Sequence, residues 1–196
     1  VEWLLPGTLL PMPEQTAKDA FGALAPTFAV SGGGFSLSQI TEMTGLGASA
    51  VQNWVKRGWV AAPVSKRYDA KRVARILLIN MLRTVMKLED IAALMKYING
   101  DVDDDSDDII MEPQLYNLLT RAVHETEYRR AADYESIAAL IKDLLSDYKE
   151  PVPGARDRLT VALITMMLGI AAAKLMQKAD ELLDCEVYKT TQPAKP

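Results

Sequence analysis

One cysteine and one histidine among 196 residues leave little room for metal or redox chemistry. Cys185 has no partner for an intrachain disulfide, a multi-cysteine zinc site or a CxxC redox pair, so a reducing, cytoplasmic setting is expected. His124 stands without a second ligand or a nucleophile, on a stretch whose spacing makes a half-buried, hydrogen-bonded ring its expected role. The serines, threonines and carboxylates show no spacing suited to hydrolysis or acid–base work. Neither an enzyme nor a cofactor or metal site is therefore expected. Long apolar runs are scarce too. The longest uncharged one, Leu159 to Ala173, is bracketed by Arg158 and Lys174 and has 15 residues. A membrane span needs roughly 20, so a buried core helix and no membrane are expected. The apolar N-terminal stretch lacks a basic flank and an A-x-A pattern, and no targeting signal is expected.

What is present is an ordinary folding composition, 49% apolar and 24% charged, which excludes a disordered tail. The net charge of −4 hides a division. From Ser36 to Asn99 ten basic residues (Lys56, Arg57, Lys66, Arg67, Lys71, Arg72, Arg75, Arg83, Lys87, Lys96) face four acidic ones (Glu42, Asp69, Glu89, Asp90). That segment is +6 and the remainder −10, an asymmetry expected when one lobe meets a polyanion.

Along the chain, residues 1–35 hold Pro6, Pro11, Pro13 and Pro26 and the run Ser31 to Gly34, which predicts an irregular arm ending in a hinge, with one short helix near Glu14 to Leu24. The glycine run completes no phosphate-loop pattern. From Ser36 the apolar spacing of Leu37, Ile40 and Met43 predicts a helix ended by Gly45, and Val51, Trp54 and Val55 predict a second over Ala48 to Arg57 ended by Gly58. Helix, glycine turn and helix are the parts of a helix-turn-helix. The stretch Val60 to Tyr68, with Pro63 inside it and a basic tip, predicts a small wing. Helices over Asp69 to Met86 and Leu88 to Ile98 follow. The segment 101–113, with Asp101, Asp103, Asp104, Asp105, Asp107, Asp108 and Glu112, predicts a solvated acidic linker. Beyond it, residues 114–190 predict a C-terminal helical domain with helices over Leu115 to Val123, Ile137 to Tyr148 and Arg156 to Leu183. The expected architecture is all-α with a small wing: an arm (1–35), a winged helix-turn-helix domain (36–100), the linker, and the C-terminal domain.

The stretch from Thr44 through Val60 resembles the recognition-helix region of MerR family regulators without a gap. The similarity continues through Lys66-Arg67-Tyr68-Asp69, Val73, Ile76, Ile79, Leu82-Arg83 and Lys87-Leu88-Glu89-Asp90-Ile91. The wing-helix portion and the apolar C-terminal helix are similar to an uncharacterised bacterial family, domain of unknown function 1836. The chain departs from MerR regulators in having Gly47 where they commonly carry a hydroxyl cap, Gln52, Asn53 and Trp54 where they carry a basic and aromatic run, and a shorter wing. The resemblance implies a sequence-specific regulator of transcription that binds double-stranded DNA; the alternative is a protein-interaction module that kept the fold without DNA binding. The residue types agree with DNA. With Val51 and Trp54 facing inward, Ser49, Gln52, Asn53 and Lys56 remain for the major groove, and Gln and Asn can pair bidentately with adenine. Lys66, Arg67, Lys71 and Arg72, with Tyr68 between them, are the expected backbone contacts.

Two further patterns are weaker. Asp101, Asp103, Asp105, Asp107 and Glu112 fall at the ligand positions of a calcium loop, but Ser106 stands where that loop needs glycine and Pro113 interrupts its exit, so a solvated linker is the expectation. Met166, Met167 and Met176 are expected to fill an irregular core, or to line a pocket for an unknown small-molecule effector. The helix Arg156 to Leu183 is apolar on too many sides for two neighbouring helices to cover, which predicts a homodimer built on it, unless the N-terminal arm folds back over the stripe.

Overall fold

A computed structural model of the chain describes residues 4–11, 18–129 and 133–182. Among them eight helices follow in order: α1 Ala25–Val30, α2 Leu37–Thr44, α3 Ala48–Lys56, α4 Ala70–Leu82, α5 Leu88–Asn99, α6 Glu112–Arg129, α7 Tyr134–Leu144 and α8 Ala155–Leu182, with a 3-10 turn at Phe21–Leu24 before α1. No β-strand occurs among the described residues, only isolated bridges, so the all-α expectation holds. Residues 12–17, which carry the start of the helix expected over Glu14 to Leu24, and residues 183–190 of the expected C-terminal domain, with Cys185, lie outside the described residues.

Local chemistry sets the helix ends. Ser36 and Gln39 form a reciprocal capping box at the start of α2, with Gln39 N donating to Ser36 Oγ at 3.3 Å and Ser36 N to Gln39 Oε1 at 2.9 Å. Gly45 closes α2 in the left-handed region at φ 71°. Asp69 caps α4 by accepting from Arg72 N at 3.0 Å. Between α3 and α4 the chain turns tightly at Ser65 and Lys66, both at positive φ, and Val64 and Arg67 exchange backbone hydrogen bonds of 3.0 and 2.8 Å across the turn.

Helix α4 is the centre. Every residue from Val73 to Asn80 is buried, and the helix packs against α2, α5, α6 and α8. The arm is irregular over residues 4–11, as expected, and it packs onto the fold. Leu5, Ala20, Phe21 and Leu24 are buried, Tyr116 Oη donates to Pro6 O at 2.6 Å, Asn80 Nδ2 to Gly7 O at 2.8 Å, and Leu9 N to Met43 O at 2.8 Å. Gly7 is required there: φ is 75°, and a Cβ would sit 2.5 Å from the Leu77 carbonyl oxygen. The described part of the arm thus joins α2, α4 and α6, and the outer stripe of α8 is exposed.

The acidic segment also departs from expectation. Ile109 and Ile110 are buried, and the fully buried Asn99 ties both down, accepting from their N–H groups at 3.2 and 3.3 Å and donating to Ile110 O at 2.7 Å. Tyr148 Oη donates to Ile109 O at 2.6 Å. Lys71 Nζ pairs with Asp108 at 2.8 Å and also with Asp105. Glu112 opens α6 from inside the core, 2.8 Å from Arg75, with both side chains shut away from solvent. The segment 101–111 is therefore a strap fastened across the start of α4. The buried apolar side chains from Leu5 to Ala171 form one cluster that passes beneath it, and no gap in the core marks the expected boundary at 101–113. Like charges could be packed because their partners, Lys71 and Arg75, come from a distant helix. As for the calcium reading, no group of acidic, histidine or cysteine side chains among the described residues could hold a metal ion.

Helix α8 has two faces. Leu159, Leu163, Met166, Met167 and Ile170 lie in the core, as expected for the first two methionines; Met176 is exposed instead. Among the described residues α8 is the one helix long and apolar enough to cross a membrane, by length and composition.

The Arg75–Glu112 pair yields a test. Arg75→Met alone leaves a buried carboxylate without its partner and should cost about 3–5 kcal/mol in denaturant unfolding, whereas Arg75→Met with Glu112→Leu should recover most of the loss. Burial holds the Glu112 carboxyl above the ordinary glutamate value, against the pull of Arg75 and Lys71. The folded chain then binds that proton more tightly than the unfolded chain. This contribution is fully present in acid and is lost as pH rises through the folded value, so Glu112→Gln should flatten the stability curve above the ordinary glutamate range.

Candidate nucleic-acid interface

Helix α3 buries Val51 and Trp54 on one side. That orientation turns Ser49, Gln52, Asn53 and Lys56 outward, and all four are exposed. The turn before α3 is short because Gly45 supplies the left-handed residue, and Gly47 stands at the N-cap in extended conformation with no side-chain cap. The N-terminal N–H groups of α3 therefore receive nothing from Gly47 that would compete with an incoming acceptor. Glycine costs a helix start only a few tenths of a kcal/mol relative to a capping side chain, as an order of magnitude.

Of the remaining expected contacts, Lys66 and Arg67 are exposed on the tight turn, with Arg67 Nη1 donating to Gly34 O at 3.1 Å. The other three are placed differently. Tyr68 is buried, its backbone bridged to Phe35 through two 2.8 Å hydrogen bonds, and burial pushes its phenol up; the ring is core, not contact surface. Arg72 is folded back, its Nε donating to Ala62 O at 2.7 Å and its Nη1 paired with Asp69. Lys71 is held by Asp105 and Asp108: burial alone would lower its pKa, but the two carboxylates outweigh that and hold the ammonium above its ordinary value. Arg75, part of the basic tally, lies in the core. The charge count saw these cations but not their partners, which for Lys71 and Arg75 stand 34 to 37 residues further along.

Beside α3 one further cation is exposed. Arg57 lies over the Trp59 ring at 4.9 Å and reaches Glu89 at 3.4 Å. Its signal was its place beside Lys56 and two residues before Trp59, a spacing that lets guanidinium and ring stack and orients the charge. The exposed set is thus Ser49, Gln52, Asn53, Lys56 and Arg57 at α3, and Lys66 and Arg67 at the turn.

Residues 34–119 match the family model described as Domain of unknown function (DUF1836). The matched stretch holds α2 to α5, the whole strap and the first part of α6. The chain is also 32% identical over 111 residues to the uncharacterized protein YkrK of Bacillus subtilis (strain 168), a similarity covering 52% of this chain and 48% of that protein. The chain therefore spans about half the length of that relative. No solved structure matches the chain.

The geometry separates surface from core by mutation. Gln52→Ala and Asn53→Ala should each change unfolding stability by no more than about 0.5 kcal/mol, as exposed substitutions do. Tyr68→Ala should cost roughly 3–5 kcal/mol, the range for a buried aromatic. Urea melts of the three variants check both statements, and a large loss at Gln52 would place it in the core.

Proposed function

We propose that this chain is a sequence-specific regulator of transcription of the MerR-like winged helix-turn-helix kind, reading double-stranded DNA through α3. The observation that carries the reading is the division of α3 into an anchored side, Val51 and Trp54, and an exposed side of Ser49, Gln52, Asn53 and Lys56, with α2 joined to it by a glycine turn. A helix so placed can enter a major groove, where amide side chains read base edges and cations beside it meet phosphates. The turn carrying Lys66 and Arg67 serves as the wing. Its setting is the cytoplasm, where DNA and a lone thiol are both accommodated.

A second reading has its own support. Lys71 and Arg72, which would add phosphate contacts, are engaged by Asp105, Asp108 and Asp69, and this favours a fold kept for binding another protein. Salt dependence separates the two. A DNA-binding chain should lose affinity for duplex with a log–log slope of about −0.9 per phosphate contact. Lys66→Ala or Arg67→Ala should flatten that slope by roughly one unit for all sequences alike, and a change at Gln52 or Asn53 should alter which sequence is preferred. Absence of duplex binding at low salt sinks the reading.

The regulator would work as a homodimer through α8. Val161, Leu168, Leu175 and Leu182 recur every seven residues and are all exposed, at 53%, 37%, 66% and 54%. Thr165, Ala172 and Ala179 fall between them, giving the alternating spacing of a two-helix seam with small residues that let backbones approach. Beyond Ala173 every described residue of α8 is exposed, and so short an isolated stretch of helix is marginal in water without a partner. Sedimentation without detergent should show a dimer at micromolar concentration, and Leu168→Glu with Leu175→Glu should give a folded monomer. A monomeric unmodified chain, or one found only with membranes, overturns the dimer.

A further inference from the structure

The end of α3, one face of α5 and the start of the strap enclose a recess of about 310 Å³. Small residues make the room, Gly58 on one side and Ala92 and Ala93 on the other. The volume stands at the lower end of the range for small-molecule sites and exceeds what a bare oxyanion fills. Arg57, Arg75 and Lys96 line it together with the Trp59 ring. Asp101 is the carboxylate of the lining, and it is engaged in its own turn, accepting from Asp103 N at 3.0 Å.

Arg75 decides what the recess can take. Its side chain is only 4% exposed; Nε donates to Trp59 O at 2.7 Å and Nη1 to Glu112 at 2.8 Å. Glu112 matches its charge, but a guanidinium has further donors. Nη2 has no acceptor among the described residues, and it is not among the unpartnered atoms sealed from solvent, as Glu112 Oε2 is. The core therefore holds an unpaired donor in fixed orientation where Arg75 meets the recess, and such a donor favours an oxyanion. The charge comes from the mouth. Among the described residues the exposed Lys96 ammonium has no ion-pair partner, and the Arg57 pair with Glu89 is open to water. A neighbouring recess also reaches Arg75, but there Asp69, Asp103 and Asp105 stand against Lys71 and Arg72 and leave no excess of positive charge.

We propose that the recess between α3, α5 and the strap binds a small organic anion. Its phosphate or carboxylate group meets Arg75 Nη2 at the floor and Lys96 and Arg57 at the mouth, with the body against Trp59. A cationic ligand would face three cations, and a neutral one would bring nothing for Lys96. A duplex phosphate can meet the exposed Lys96 and Arg57, but a duplex is too broad to follow so small a recess down to Arg75. The recess adjoins the end of α3, so in the regulator reading its occupant would be an effector; the binding itself does not rest on that reading.

The probe is phenyl phosphate, titrated calorimetrically into the whole chain at fixed ionic strength without DNA, with phenol as its neutral twin. One site per chain is expected, with phenol at least about tenfold weaker, the weight of one charge-assisted hydrogen bond. Lys96→Glu should weaken the probe several-fold, and Ala93→Trp, at an exposed position, should block it. Lys87→Glu, an exposed change outside the recess, should leave it nearly unaltered. The Arg75 Nε–H resonance, assigned through its proximity to Trp59, should shift in step with occupancy. Equal affinity for phenol, no saturation at millimolar probe, equal losses at Lys96 and Lys87, or a stationary Arg75 signal overturns the site. Duplex binding that weakens in Lys96→Glu while the probe does not bind would assign these cations to DNA and also overturn it. A chain that takes the probe but no duplex leaves the site standing and sinks the regulator reading alone.

Discussion

A helix buried on every side can keep polar groups only where its neighbours bring their partners, and α4 keeps two, Arg75 and Asn80. Arg75 Nε donates to Trp59 O at 2.7 Å and its Nη1 to Glu112, which fixes the chain after α3 and the start of α6 to one point. Asn80 donates to Gly7 O and Thr44 O and accepts from Arg83 Nε, which fixes the arm and the end of α2 to another. The apolar cluster supplies most of the driving force, but apolar packing has no direction. These two residues set register: a slide of α4 by one residue would strand a guanidinium and an amide in the core.

This arrangement explains what could be read from the residues and what could not. Helices α2 and α3 were legible nearly to the residue because their limits are local: Ser36 with Gln39, Gly45, Gly58 and an apolar spacing on one face. The exposed site residues on α3 followed from the same spacing. Helix α8 was legible as apolar on too many sides, and its seven-residue seam was in the letters unnoticed. The strap was misread because its fate depends on pairs formed across the fold. A run of aspartates reads as solvated chain until Lys71, Arg75 and Asn99 are known to lie beneath it. Tyr68 was misread for a related reason: an aromatic beside basic residues looks like contact surface, and only the bridge to Phe35 shows it to be core.

The strap changes the meaning of the basic charge count. Lys71 and Arg75 neutralise the chain's own carboxylates, so the +6 of the segment overstates the charge offered to a partner. What remains outward at α3 and the turn is Lys56, Arg57, Lys66 and Arg67, with Arg83, Lys87 and Lys96 exposed elsewhere on the segment. In the regulator reading, a surface of that size suits a module that binds weakly alone and gains affinity by pairing, since each phosphate contact contributes through released counterions and few contacts are available.

Pairing helps only if the geometry between copies is fixed. Had 101–113 been a flexible linker, a dimer seam on α8 would hold two reading helices at no defined distance, and a fixed half-site spacing could not be recognised. Instead the chain of packing is unbroken: α8 lies on α5 and α4, α4 on α2, and α2 on α3. The strap belongs to the same body through Asn99, Lys71 and Tyr148. In the regulator reading, the distance between the two copies of α3 is then set by side-chain packing in each copy and by the seam between them. Specificity for successive major grooves, roughly 34 Å apart, becomes a property of the core as much as of α3.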